Sequence, residues 1–280
     1  MFLRYEGEAW ERRFLPRLTR KEIRELPKEK ALVVLPVGAV EQHGDHLPVM
    51  TDSLIGEATL TMALEKLEGD PQVWLIPPLS YGKSDEHLGI PGTISLSAAT
   101  LSAVIMEIAE SLAASGFRRL LLFNTHGGNA DLLNVVARDV RIRTGLMVFV
   151  MMPSSLKAAE DLLTEREKLY GIHGGTYETS VVLAIKPGWV REEERPSAFP
   201  RVEHLKFLTV ESAIRFAWVM DDLSEAGITG DASLASKEKG ELIQERVTAL
   251  LAKALAEMCE FEIADVRAEG AEAGAGTPAR

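Results

Sequence analysis

Short, wholly apolar runs alternate along this chain with longer segments that carry an apolar residue every three or four positions, and few folds accommodate that rhythm. Residues 31–37 (ALVVLPV) form the first run, read as a buried strand. Residues 52–67 follow as a helix with Asp52 at its N-cap, and residues 73–76 as a second strand ended by Pro77 and Pro78. Residues 97–115 form a strong helix. Ser97 caps it, Leu101, Ile105, Ile108 and Leu112 share one face, and Gly116 ends it. A strand at 120–123, a helix at 130–143 and a strand at 146–151 continue the series. This order predicts an α/β fold: a mostly parallel sheet with helices on both faces. A long last helix is expected over about 236–261, from the spacing of Leu242, Val247, Leu250, Leu251 and Leu255. Beyond Phe261 the composition collapses to Ala, Gly and Glu, so one domain over 1–262 is expected, with 263–280 a mobile tail, most plainly from Arg267.

Charge and cysteine usage exclude several classes of partner. Lys and Arg number 31 against 42 Asp and Glu, a formal charge of −11. That balance argues against nucleic-acid or anionic-membrane partners. The one local basic cluster, Arg12, Arg13, Arg17, Arg20 and Lys21, reads as solvated surface. The single cysteine, Cys259, lies in an apolar helical stretch and reads as a buried structural thiol. The start, MFLRYEGE, lacks the basic and apolar parts of a signal peptide, and no apolar run nears the roughly 20 residues that cross a bilayer. A cytoplasmic protein is expected.

In open α/β sheets ligands gather at the carboxyl ends of the strands. Three unusual loops fall there, at 38–51, 80–93 and 124–129, and a fourth motif at 172–179 opens another helical stretch. Five of the six histidines, His43, His46, His87, His126 and His173, lie in these four segments, and only His204 lies elsewhere. The richest is GAVEQHGDHLP at 38–48, followed by Thr51 and Asp52, with two imidazoles and the carboxylates Glu41, Asp45 and Asp52. Glu41 and His43 are two apart, so extended backbone points them the same way. Such a nitrogen and oxygen set suits Zn²⁺, Mn²⁺ or Fe²⁺ better than Ca²⁺ or a thiolate-bound metal. The residues by themselves fit a second reading equally, a polar turn in which Asp52 only caps a helix. His126 opens a His-Gly-Gly-Asn turn, and His173 stands five residues before Glu178 across two glycines. Tyr81-Gly82-Lys83-Ser84 imitates part of a phosphate-binding loop, but Pro77 stands where that loop needs glycine.

Together these segments resemble the creatininase family. The matching motifs are Glu-Gln-His-Gly-x-His-Leu-Pro from Glu41, with Asp52 nine residues after His43; Gly-Ile-Pro-Gly-Thr-Ile-Ser-Leu at 89–96; Asn-x-His-Gly-Gly-Asn at 124–129; and His-x-Gly-x-x-Glu-Thr at 173–179. They run in order over about residues 30 to 190, and Gly230-Asp231 also fits. The resemblance implies a creatininase-like single domain, a metal-dependent amidohydrolase with two divalent ions per chain, and a homo-oligomer, often a hexamer. It implies Glu41, His43, Asp52 and His126 as metal ligands, with Asp52 bridging, and His173 as the group that gives a proton to the departing nitrogen. Creatininase itself carries a further glutamate ligand two residues after the turn histidine, where this chain has Gly128. Glu178 is the nearest candidate to complete the set. Asp45, His46 and His87 are expected to orient ligands or to touch substrate.

The expected activity is hydrolysis of a C–N bond, whether amide, lactam or formamide, in a small molecule or peptide. The tryptophan pair that encloses creatinine is not evident among Trp10, Trp74, Trp189 and Trp218, which disfavours creatinine itself. Two rival readings are a non-catalytic metal-binding α/β protein and a relative that hydrolyses a C–C bond in a cyclic ketone.

Overall fold

Strand β1 (Leu32–Val37) is buried along its whole length because helices cover both of its faces. In this computed structural model, which describes residues 6–210 and 214–267, two short helices precede it, α1 (Glu8–Arg13) and α2 (Arg20–Glu25). Then come α3 (Thr51–Glu65), β2 (Val73–Leu75), α4 (Ala98–Ala114), β3 (Arg119–Asn124), α5 (Ala130–Thr144) and β4 (Met147–Met151). The remaining helices are α6 (Glu165–Tyr170), α7 (Thr176–Ile185), α8 (Met220–Leu223) and the long α9 (Lys237–Glu260). The main sheet is wholly parallel, in the order β2-β1-β3-β4.

The period of two along the strands sorts their side chains. Val33, Leu35 and Val37 of β1, with Leu120 and Leu122 of β3, pack under Leu101 and Ile105 of α4 and Leu133 and Val140 of α5. Leu32 and Val34, with Leu121 and Phe123, pack under Leu60 and Leu64 of α3 and Leu251 and Leu255 of α9. Cys259 closes that second layer as a buried free thiol. Outside it, α7 packs on α3 and α9 through Val181, Val182, Ile243 and Val247. The expected single-domain α/β architecture is therefore present.

The strand order places the site. The chain leaves β1 for one face through α3 and leaves β3 for the opposite face through α5. Their carboxyl ends lie side by side, Val37 level with Asn124. A crevice opens where the chain departs to opposite faces, the usual ligand position in such sheets.

Three expectations need correction. Met50, not Asp52, is the N-cap of α3, and no side chain caps that end. Asp52 stands inside the first turn and faces His43 and His126 instead. The tail was expected from 263, but residues Ile263–Val266 form a turn of 3₁₀ helix, and residues 268–280 lie outside the described residues. Arg13 is no surface residue. It is buried and donates to Asp70 at 3.0 Å and to the Pro71 carbonyl.

Candidate metal centre

Three loops are stapled together before any ligand geometry matters. Asn129, just ahead of α5, donates to the Gly38 carbonyl (3.1 Å) and accepts from the Lys83 N–H (2.8 Å), tying the ends of β1 and β2 to that of β3. Thr125 adds N–H to the Val37 carbonyl (3.0 Å) and hydroxyl to the Asp52 carbonyl (2.9 Å). Gly44 adopts φ 66°, a left-handed turn that glycine takes without strain, and the chain turns there between His43 and His46. His173 pairs antiparallel with Thr229 through two backbone hydrogen bonds, and its segment leads into α7, whose first turn carries Glu178.

The side chains converge. Asp52 sits between two donor sets. Its Oδ1 is 3.4 Å from His43 Nε2, and its Oδ2 is 3.3 Å from His126 Nδ1. Glu41 Oε2 joins His126 Nδ1 at 3.2 Å, and Glu178 Oε2 joins His43 Nε2 at 3.9 Å. Glu41, Asp52 and His126 thus form one group with cation-holding reach, and His43, Asp52 and Glu178 a second. Among the described residues there are two more such groups, Glu41 with His43 and His173, and Glu41 with Glu86 and His87.

The donors fit divalent cations on the evidence of their own unmet bonding. Both oxygens of Glu41, Oδ2 of Asp52 and Nε2 of His43 are buried without a hydrogen-bond partner. Buried polar atoms are nearly always paired, so a converging set of unpaired ones marks a place for a ligand. The outer hydrogen bonds set the rings to match. A carbonyl can only accept, so His43 donates from Nδ1 to the Glu41 carbonyl (3.1 Å) and His126 donates from Nε2 to the Lys83 carbonyl (2.9 Å). Their remaining nitrogens face inward, where a cation can replace the proton, as in metal-ligating histidines. Glu178 (23% exposed) and Glu86 (14%) are the least enclosed of these donors.

The electrostatics carry the same message. Burial works against a charged His43, but Asp52, Glu178 and Glu41 override it and raise the ring to about 10. His126 is likewise raised despite burial, by Glu41, Asp52 and Glu86. Burial lifts Asp52, yet His43 and His126 hold it below the usual carboxylate range. Burial, with Asp52 and Glu41 adding to it against His43, pushes Glu178 up to about 7. Three carboxylates crowded together call for positive charge, and without a cation protons on the histidines supply it.

Of the sequence candidates, Glu41, His43, Asp52, His126, Glu178, His173 and His87 meet at this centre. His173 stacks between His43 (ring centroids 4.1 Å apart) and His87 (4.4 Å), and burial followed by His43 lowers its proton affinity. His46 does not join the donors. It hydrogen-bonds Thr179 at 2.9 Å, anchoring α7, and burial and then His43 lower it to about 4. Asp45 is exposed on the far side of the Gly44 turn and enters none of the groups. Sequence reasoning missed Glu86, whose Oε1 lies 3.4 Å from His126 Nε2, and Gln42, which contacts two of the rings. Adjacency to His87 was the one signal available for Glu86. At Gly128 a Cβ would collide with Glu86, His126 and the Lys83 carbonyl, so the glycine makes room for the Glu86 carboxylate.

Comparison with known proteins decides the family. The description "Creatininase: Creatinine amidohydrolase" matches residues 16–255. This chain belongs to the creatininase family. A mycofactocin precursor peptide peptidase of Mycolicibacterium smegmatis is 32% identical over 224 residues, covering 79% of this chain and 82% of that protein. The creatinine amidohydrolase of Pseudomonas putida is 32% identical over 247 residues, covering 81% and 89%. A 3-dehydro-scyllo-inosose hydrolase of Thermotoga maritima is 25% identical, covering 84% and 78%. Among solved structures, a creatininase variant of Zn–Zn type superposes with TM-score 0.70 at 29% identity over 87% of this chain and 97% of its own. An Mn form of creatininase gives 0.66 at 28%, over the same shares. Creatininase-family membership makes the chain an amidohydrolase, acting on C–N bonds other than ordinary peptide links.

Proposed function

We propose that the chain is a two-metal amidohydrolase whose cations are shared through Asp52. The carrying observation is that Asp52 gives one oxygen to each of two donor sets, Glu41 with His126 and His43 with Glu178. The Zn–Zn and Mn forms of the creatininase relatives support zinc or manganese, and Fe²⁺ belongs in the same trial. Two divalent cations held there would act as Lewis acids on a substrate carbonyl and lower the pKa of a water towards about 7.

The protein's own groups then move the proton. His173 donates from Nε2 to the Gln42 carbonyl (2.8 Å), so its Nδ1 faces the centre with a lone pair. In that tautomer it first takes a proton from the attacking water and afterwards passes it to the departing nitrogen. The expected proton donor is thus an acceptor at rest. Burial of Glu41, His43 and Asp52 excludes competing water and keeps the carboxylates fixed.

The substrate class proposed is a small-molecule or peptide amide, lactam or formamide. The reading includes one domain over 1–262, a cytoplasmic setting and a homo-oligomer, up to a hexamer. Among the described residues no helix is long and apolar enough to cross a membrane. Exposed Tyr81, Leu88 and Ile94 on the loop beside the centre support self-association, which light scattering checks. The test of function is turnover of metal-stripped and reconstituted protein on lactams, formamides and short peptides, with a cyclic ketone included because of the inosose hydrolase relative. Turnover restored only by divalent metal supports the proposal. Two bound metals with no turnover on any C–N substrate would favour the non-catalytic reading, and turnover on the ketone alone the C–C reading.

A further inference from the structure

Four imidazoles crowd around Glu41, and their outer hydrogen bonds do not treat them alike. His43, His126 and His173 each donate outward to a backbone carbonyl and aim the other ring nitrogen inward. His87 is the reverse. Its Nδ1 lies 2.9 Å from Gln42 Nε2. The Gln42 amide cannot be turned over, because its Oε1 accepts from the Gly44 N–H (2.9 Å) and its Nε2 donates to the Gly227 carbonyl (2.8 Å). The second Nε2 hydrogen therefore goes to His87 Nδ1, which must accept. The proton of a neutral His87 then sits on Nε2, 3.6 Å from Glu41 Oε1.

Resting on the two-metal reading above, we propose that Gln42 is a positioning residue that locks His87 as an N–H donor to Glu41 Oε1, so that His87 is not itself a ligand. The group Glu41, Glu86 and His87 has cation-holding reach on distance alone, and the lock removes it, because a protonated nitrogen cannot ligate. It also divides the work of Glu41: Oε1 is restrained by the imidazole, and Oε2 stays free towards Asp52 and His126. The 3.6 Å gap is longer than a formed hydrogen bond, and such contacts close when a site fills.

Ring ¹⁵N shifts of the histidines in metal-free wild-type protein test the lock without any assay of activity. His87 is expected to be neutral and protonated on Nε2, and protonation on Nδ1 would overturn the proposal. Zinc affinity, read by competition with a chromophoric chelator, supplies the second arm. His87→Phe, which has no N–H, should weaken the tighter of the two sites or its partner by about 10–100-fold, the range for an outer-shell change. His87→Gln, whose amide still donates to Glu41, should restore affinity to within about twofold of wild type. Gln42→Met should cost as much as His87→Phe in the wild-type background, yet add no more than about twofold to His87→Gln. Equal losses in His87→Gln and His87→Phe would refute the donor role. If the wild-type protein takes up no divalent metal, the two-metal reading fails, while the ring shifts still decide the tautomer.

Discussion

At the amino end of β3, Arg119 is fully buried, and its terminal nitrogens donate to the Glu29 carbonyl, the Phe261 carbonyl (3.0 Å) and the Glu262 carboxylate (2.6 Å). One strand-length away, past its carboxyl end, His126 faces Glu41 and Asp52, and both Glu41 oxygens and Asp52 Oδ2 make no hydrogen bond. Both ends bury charge that would be expensive to leave unmatched. At the first end the two terminal guanidinium nitrogens find carbonyls and a carboxylate within the chain, and only Nε is left unpaired, so the charge is structural. At the second it leaves converging donors open, so the charge anticipates a ligand. Burial of a charge does not separate structure from function in this molecule. What separates them is whether several unpaired charged atoms converge on one point, as Glu41, Asp52 and His43 do and the lone Arg119 Nε does not.

The sharpest way to break that contrast is Asp52→Ala. Because Asp52 serves both donor sets, the variant should lose both metals, with affinity falling by more than the roughly 10–100-fold of an outer-shell change. Elemental analysis after reconstitution reads this. Retention of both metals would reduce Asp52 to a residue of the first helical turn, and since Met50 is the cap, little stability should be lost with it.

His173→Ala comes next. The variant should keep two metals and lose about 10²–10⁴-fold in turnover, the contribution of a proton-transfer group. Loss of one metal would instead place His173 in the Glu41 and His43 group and make it a ligand.

The third effect is a pH slope. Without a cation His43 stays protonated up to about 10, and Glu178 titrates near 7. A cation must displace the His43 proton at any lower pH, and the Glu178 proton below about 7. Affinity should therefore rise from pH 6 to 9, by up to about tenfold per unit for each proton displaced. Calorimetry in buffers of different ionisation heat measures the protons released, and a flat or falling profile would contradict the account. The same raised His43 stabilises the cation-free fold fully below its ordinary value of 6.5, and that contribution disappears as pH rises through about 10.

The smallest functional effect belongs to the other end of the strand. Arg119→Met should lower stability by about 1–3 kcal/mol, from carbonyls left unpaired, and leave metal stoichiometry unchanged. A thermal melt beside metal analysis checks both halves, and loss of a metal would erase the contrast between the two ends.

How much of this was legible in the sequence follows from the range of each interaction. β1, β3 and α4 announce themselves because their apolar periods are local, and α4 is capped by Ser97 as the spacing predicts. The loop positions of Glu41, His43 and His126 followed from strand order. Only the N-cap reading of Asp52 was wrong, because Thr51 and Asp52 look like a cap; its expected place as a ligand came from the family motif and not from any local period. The six-residue α1 and α2 are too short to show a period. Glu86 and Gln42 were invisible as partners because their contacts span 40 and 45 residues and depend on three loops meeting, as Glu86 does with His126 and Gln42 with His87.

The central claim is that two cations share Asp52, and anomalous diffraction from crystals of the zinc- or manganese-reconstituted protein tests it most directly. The account predicts two peaks, one held by Glu41, Asp52 and His126 and the other by His43, Asp52 and Glu178. A single peak, or two peaks with Asp52 bound to neither, would contradict it.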